Sequence, residues 1–504
     1  MENRMQGKIA EREVLTDLSG DYALPDYQPE VKRLLRVKAT VHPADTYIGG
    51  GNAEVTGNVD YFVLYAAEDG GLYNTQQTGE YHFTVPVEFP DGFDPSEGLT
   101  CDVEVLPESV TGRAAGPRKL NLKCRLRSKV KLYGVRIPCD VEGADAEENE
   151  RLTGEMEVAR LFVGRTEPIS LADEIVLENG EQEIRVIASE GQVLVSDADA
   201  GSGEVRCRGE VCLKLLCVRD GSSDLPYPIA RRIPFQTDIP VDGAEVNCTA
   251  TASGFCPDVR ATVEDGRMVC EVSMVLTGRA QRNETVPYLR DLYSTARETE
   301  PVYAEIPYSK ALKCVSGNFS LGTALQLSEI GLKPGLSVVD ISGEALPETV
   351  GCERGKYVVS GKCRFHLILA GEGDYSAEEI EVPFRFEVPG GTEPPSDTDL
   401  TVEVLTARAR TDSERLGIDA ELGVSAAMRV PETAKVLGAV RFGEPVPVQG
   451  AAYVVCFPSA TDTLWGIGKK YHTPVSALYA KNRLPASPSA DAADSLRGVR
   501  FLVI

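Results

Sequence analysis

VTGNVDYFVLY (residues 55–65), CRGEVCLKLLC (207–217) and VSGKCRFHLIL (359–369) line up without a gap, each copy 152 residues after the last. A glycine (Gly57, Gly209, Gly361) opens the shared part, and apolar residues then fall at every second position. Val59, Tyr61, Val63 and Tyr65 match Val211, Leu213, Leu215 and Cys217, and these match Cys363, Phe365, Leu367 and Leu369. A period of two over ten residues is the pattern of a strand with one buried face. Three copies in register make the repeat, not any single strand, the feature that decides the fold.

The text around each copy repeats as well. A turn follows, EDGG (68–71), RDGS (219–222) or GEGD (371–374), with the glycines that supply positive φ in a hairpin. A strand with a Pro and aromatic signature comes next: YHFTVPV (81–87), RIPFQTDIPV (232–241) and EVPFRFEV (381–388). Each unit then gives an alternating pair, clearest in VRATVEDGRMVCEVSMVLTG (259–278) around Asp265-Gly266. Its counterparts are LNLKCRLRSKVKLYG (120–134) and LGIDAELGVSAAMRV (416–430). The lead-ins DYALPDYQPEVKRLL (21–35), DEIVLENGEQEIRVI (173–187) and LKPGLSVV (332–339) all stop 22 residues before the glycine. The expected architecture is mainly β: three tandem units, sandwich- or barrel-like, at 1–143, 151–294 and 300–443, followed by a separate segment at 451–504. VEGADAEENE (141–150) and STARETEP (294–301) mark the boundaries.

Composition sets limits on function. With 42% apolar and 26% charged residues the chain is globular material. A net charge of −25 argues against nucleic acid, because phosphate binding needs a cationic footprint. The charge is uneven. From Ala451 onward six cations (Lys469, Lys470, Lys481, Arg483, Arg497, Arg500) face three acids (Asp462, Asp491, Asp494). The N-terminal text MENRMQGKIAEREVLTDLSG has no apolar signal-peptide core, and no run of 18 apolar residues predicts a membrane span. Thirteen cysteines occur without a C-x-x-C pair or a histidine at metal spacing, which predicts free thiols in a reducing cytosol.

The last segment reads differently. TDTLWGIGKKYHTPVSALYAKN (461–482) holds Trp465, the one tryptophan. AAYVVCF (451–457) predicts a strand, then a helix capped by Thr461 or Asp462, with Leu464, Ile467 and Gly468 on one face. A second helix is expected with Thr473 as cap and Pro474 in its first position, burying Val475, Leu478 and Tyr479, with Asn482 at its end. VRFLVI (499–504) closes as a strand. Trp465 is either a core aromatic of this small unit or an interface anchor, and Lys469 and Lys470 are either solvated or contacts.

The repeated unit, with its LPDYQPEVKRLL lead-in and V-x-G-x-V-x-Y-x-V-L-Y strand, resembles the SPOCS domain of spore-forming Firmicutes. Residues 451–504 resemble a LysM domain, which is a βααβ fold. The matching pieces are Y-x-V at 453–455, D-T-L-W-x-I at 462–467, K-K-Y at 469–471 and L-x-x-x-N at 478–482. The combination resembles the clostridial spore-coat morphogenetic proteins. This resemblance implies a non-enzymatic adaptor of coat assembly in the mother-cell cytosol. It also implies a LysM domain that docks the coat-morphogenetic ATPase on the forespore surface, among other coat proteins. The partner-binding residues it implies are Asp462, Thr463, Leu464, Trp465, Ile467, Lys469, Lys470, Tyr471 and Asn482. The alternative partner is peptidoglycan, an N-acetylglucosamine polymer. Two departures count against it: Thr461 stands for the usual glycine within an insertion CFPSA (456–460), and the loop RLPASPSADAADSLRG (483–498) is long.

No enzyme, cofactor or metal constellation emerges. His82 and His366 fall on the polar phase of their strands and are expected to face solvent, and His472 lies between the two helices. Cys207, Cys217 and Cys363 replace valine, tyrosine or leucine and read as core. Cys212 replaces Asp60 and Arg364, the pattern of an exposed thiol open to cross-linking. The expected scaffold is elongated and acidic, with free strand edges for protein contacts.

Overall fold

The computed structural model describes residues 4–504 except 91–92, 94–97, 139–140, 178–183, 220–224, 265, 390, 392, 396, 413, 448–453, 460, 485–490, 493–495 and 497. The chain is mainly β, with two short helices near its end. The RDGS turn and Asp265 fall largely outside the described residues.

Each unit is built the same way. The first contains β1 (Met5–Ala23), β2 (Val31–Val41), β3 (Asp45–Gly49), β4 (Asn52–Ala67), β5 (Leu72–Pro86), β6 (Thr100–Gly116) and β7 (Lys119–Arg136). Strands β1, β7 and β6 form one antiparallel sheet, and β2 to β5 form a second around β4. In the second unit β8 (Asn149–Arg165), β9 (Ile169–Val176), β13 (Thr249–Glu264) and β14 (Arg267–Ser294) form one sheet. Its partner sheet is β10 (Ile184–Ala200), β11 (Glu204–Arg219) and β12 (Tyr227–Pro240). The third repeats this with β15 (Arg297–Gln326), β20 (Arg415–Pro445) and β19 (Asp397–Thr411) against β16 (Ser337–Glu353), β17 (Lys356–Gly371) and β18 (Asp374–Pro389).

The two sheets of each unit share one core, so the units are sandwiches. In the first, Val59, Tyr61, Val63 and Tyr65 of β4 pack with Leu122, Cys124 and Leu126 of β7. The other two cores are equivalent. The repeated glycine is explained by close approach. Gly57, Gly209 and Gly361 sit opposite Tyr81, Phe235 and Phe384 in the register. Each of those rings lies over the glycine where a Cβ would go, and the Leu194 and Leu346 carbonyls crowd Gly209 and Gly361 from the other side. The repeated aromatic in the following strand is the other half of that contact.

The sandwiches do not string out into the expected elongated scaffold. They close on one another in a ring: β5 meets β10, β12 meets β16, and β18 returns to β2. Because those edge strands and lead-in strands are equivalent in the three units, the ring has an approximate threefold axis. Leu64, Leu216 and Ile368 meet there in one buried cluster with Leu35, Ile187 and Val339. Both triplets are spaced by 152 residues. This is why the second phase of the central strands turns apolar toward its C-terminal end, a feature outside the half-buried pattern expected for them.

Two charged layers also span the three units. In the first, Arg36 donates to Asp340 Oδ2 (2.5 Å) and Glu190 Oε1 (3.0 Å), and Lys38 to Glu190 Oε2 (3.2 Å). Lys214 joins at Asp340. In the second, Lys131 donates to Asp397 (2.7 Å) and Asp399 (2.5 Å), and Arg279 to Asp102 (2.9 Å). Arg429, fully buried, reaches Asp399 and Gln281. Burial alone would raise the Asp399 carboxyl, but Arg429 and Lys131 outweigh it and hold it far below the ordinary range. Beside these layers lie two cavities that Glu403 lines. Burial pushes the Glu403 carboxyl up to about 7, against a weak opposing pull from Lys38.

Closure also overturns two expectations about single side chains. Cys212 is buried with Leu194 and Leu405 where the second and third sandwiches meet, and burial pushes its thiol up to about 11. It is no exposed cross-linking thiol. His82 faces solvent, but His366 is half-buried beside Glu379, because its phase of β17 faces the axis. Cys207, Cys217 and Cys363 are core, and no disulfide joins any of the described cysteines.

Candidate docking module at the C-terminus

Strands β21 (Val455–Cys456) and β22 (Leu502–Val503) pair antiparallel, and α1 (Leu464–Tyr471) and α2 (Val475–Asn482) lie between them in sequence. Cys456, Leu464, Ile467, Leu478, Leu496 and Leu502 form the core of this segment. The strands are shorter than the sequence suggests, and Tyr453 lies outside the described residues. So does most of the 483–498 loop.

The helix caps differ from expectation. Thr463, not Thr461 or Asp462, caps α1: its Oγ1 accepts from the Gly466 amide at 3.0 Å. Asp462 instead accepts from the Ser459 amide at 2.8 Å and so closes the preceding turn. Pro474 occupies the cap position of α2 without a side-chain bond, and Thr473 Oγ1 turns back to the Tyr471 carbonyl at 3.1 Å. His472, at φ 53°, ends α1 in the left-handed region.

Trp465 faces away from this core and into the body. Its indole Nε1–H donates to Asp291 Oδ2 at 2.8 Å, and its ring meets Tyr293 edge-on at 4.9 Å. Lys469, one turn further on the same helical face, donates to both Asp291 oxygens at 2.6 and 2.7 Å. Tyr303 donates to Asp291 Oδ1 at 3.1 Å. Around this, Tyr293 donates to the Thr473 carbonyl at 2.7 Å, His472 Nδ1 meets the Ser294 carbonyl at 2.9 Å, and Arg290 pairs with Asp491 at 2.7 Å. Gly468 lets the helix come this close, because a Cβ there would strike the Tyr293 hydroxyl.

Asp291 is aimed by its own strand. The register of β14 against β8 slips between Leu289 and Asp291, a bulge that re-aims the next side chain. Burial would raise its carboxyl. The Lys469 ammonium and the Trp465 indole outweigh that and hold it below the ordinary value.

The nine residues expected to bind a partner therefore divide by role. Leu464 and Ile467 are core, and Tyr471 packs against that core. Thr463 and Asp462 shape the start of α1. Asn482 staples α2 to β22, donating to the Leu478 and Val503 carbonyls (3.0 and 2.8 Å) and accepting from the Val503 amide (2.7 Å). Trp465 and Lys469 clamp the segment to β14. Lys470 stays exposed, 5.3 Å over the Tyr471 ring. Sequence reasoning missed Asp291, Tyr293 and Tyr303, which lie more than 150 residues away and carry no local motif.

Another surface of the module makes no such contact among the described residues. Strand alternation puts Cys456 and Leu502 inside and turns their neighbours outward. Val455, Phe457 and Phe501 are 50%, 76% and 55% exposed, an apolar strip on the outer face of the β21–β22 ribbon. Among the described residues no group of three or more His, Cys, Asp or Glu is placed to hold a metal ion, and no helix is long and apolar enough to cross a membrane. No family model, curated protein or solved structure matches the chain.

Proposed function

We propose that the chain is a non-enzymatic adaptor of spore-coat assembly, working in the mother-cell cytosol, whose C-terminal LysM-type module docks the coat-morphogenetic ATPase. The observation that carries this reading is the exposed strip of Val455, Phe457 and Phe501 on a module that Trp465 clamps to β14. The clamp spends the tryptophan inside the chain and holds the module in one orientation. The strip is what remains for a partner, and exposed aromatics clustered on one face mark protein contacts more often than bare surface. The surplus of cations in this segment suits an acidic partner.

The reading is tested with the purified full chain, the purified ATPase and peptidoglycan. Direct binding to the ATPase should fall more than tenfold in Phe457→Ala/Phe501→Ala, with Trp465 emission unchanged because the clamp is untouched. Sedimentation of the wild type with peptidoglycan, without ATPase binding, would overturn the adaptor reading.

A further inference from the structure

The ring is not equally tight at its joints. Between the first and second sandwiches the cavity is about 120 Å³, while a cleft of about 720 Å³ opens between the second and third. The register shows why. Phe62 and Gln76 face each other across β4 and β5 and line the small joint, with Val259 of β13 opposite. In the large joint their places are taken by Lys214 and Ala230, and that of Val259 by Ala407. Lys214 bends away to Asp340, so three side chains withdraw from the space at once.

The cleft is also basic in an acidic chain. Lys38, Lys214, Arg231, Arg232, Arg408 and Arg410 line it, against two carboxylates, Glu190 and Asp340. Most of these cations are occupied. The two lysines serve Glu190 and Asp340, Arg231 holds Asp173 at 2.5 Å, and Arg232 holds Glu210 at 3.0 Å and Glu421. Arg408 and Arg410 are different: neither makes a hydrogen bond or ion pair among the described residues. They stand two apart on β19, on one face of the strand. At the tight joint the equivalent positions are Arg260, held by Asp258 at 2.8 Å, and Thr262. The free guanidinium pair and the open space therefore occur together.

We propose that this cleft binds a small phosphorylated molecule. Its phosphoryl group lies between Arg408 and Arg410, whose planar forks match phosphate oxygens. Its apolar part lies over Pro228 and Ala230, which are exposed on β12. The volume falls within the range of small-molecule sites, which combine an apolar lining with a few convergent polar groups.

Titration calorimetry on the full chain at low salt tests this with phenyl phosphate and inorganic pyrophosphate as probes. Saturable one-to-one binding is expected, weakened at least tenfold by Arg408→Ala/Arg410→Ala. A second variant, Ala230→Gln/Ala407→Val, restores two of the three side chains of the tight joint and should also weaken binding at least tenfold. Circular dichroism and Trp465 emission check that both variants keep the fold. Absence of saturable binding by either probe to the wild type at millimolar concentration overturns the proposal. Loss in the arginine variant with full binding in the filled variant overturns it too, because the anion would then be held by surface charge outside the cleft.

Discussion

The apolar and the charged parts of the axis do different work. In the apolar cluster the three units present nearly the same side chain at each place: Leu64, Leu216 and Ile368, then Leu35, Ile187 and Val339. In the charged layers they present unlike ones. Arg36, Ala188 and Asp340 share one position, Lys38, Glu190 and Ser342 a second, and Lys131, Arg279 and Ala427 a third. Similar apolar residues favour closing three units around an axis but cannot tell one order of units from another. The charged positions can, because a cation of one unit, such as Arg36 or Lys131, finds its acids only when the right neighbours stand beside it. Closure is thus a property of the repeat, and order a property of its divergence.

Breaking the charged part should cost most. Asp399→Ala leaves Lys131 and Arg429 buried with one shared carboxylate fewer, and stripping one partner from a buried pair costs about 4 kcal/mol. Denaturant unfolding of the full chain reads this, and a loss below about 1 kcal/mol would mean that water reaches the layer. Leu216→Ala, in the apolar part, is expected to cost about 3 kcal/mol through lost burial and the cavity it leaves.

Glu403 sharpens the comparison from the other sign. Its carboxyl sits at about 7 in the fold against about 4.3 for a free glutamate, so the folded state holds a proton that the unfolded state gives up. Stability from this group is full below the unfolded value and falls as pH rises through the folded one. Glu403→Gln should therefore stabilise the chain at pH 8 by about 2 kcal/mol, a figure discounted for water in the cavity, and leave it unchanged at pH 4. Equal stability of the two proteins at pH 8 would show that Glu403 is hydrated or paired.

What the sequence made legible follows the range of the interaction. Three β-rich units were readable because a strand shows its buried face in a period of two, and three copies multiply the signal, whereas the choice between sandwich and barrel was not. Gly57 and Tyr81 each repeated visibly, although only the register shows that they are one contact. The ring was not readable, since Leu64 looks like an irregular strand end until Leu216 and Ile368 meet it. Cys212 misled for the same reason: its phase is polar in the other two copies and faces a neighbour here. The helices of the tail were readable from Leu464, Ile467 and Leu478. The destination of Trp465 was not, because the carboxylate that receives it is 174 residues earlier.

The smallest expected change is at that carboxylate, and the lone tryptophan makes it measurable. Asp291→Asn keeps an oxygen for the indole N–H but removes the charge that holds Lys469, a half-exposed pair worth about 1 kcal/mol. Global unfolding should hardly move, whereas Trp465 emission should shift to the red as the ring gains water. Acid should do the same to the wild type. The folded Asp291 carboxyl titrates below the free value of about 3.9, so the clamp is at full strength above that value. It is lost as pH falls through the lower, folded one. A red shift below about pH 4 that precedes the loss of far-ultraviolet β signal, and is absent in Asp291→Asn, is the expected result. If emission and β signal change together at one pH, the module does not detach before the body unfolds, and the clamp belongs to the same cooperative unit as the ring.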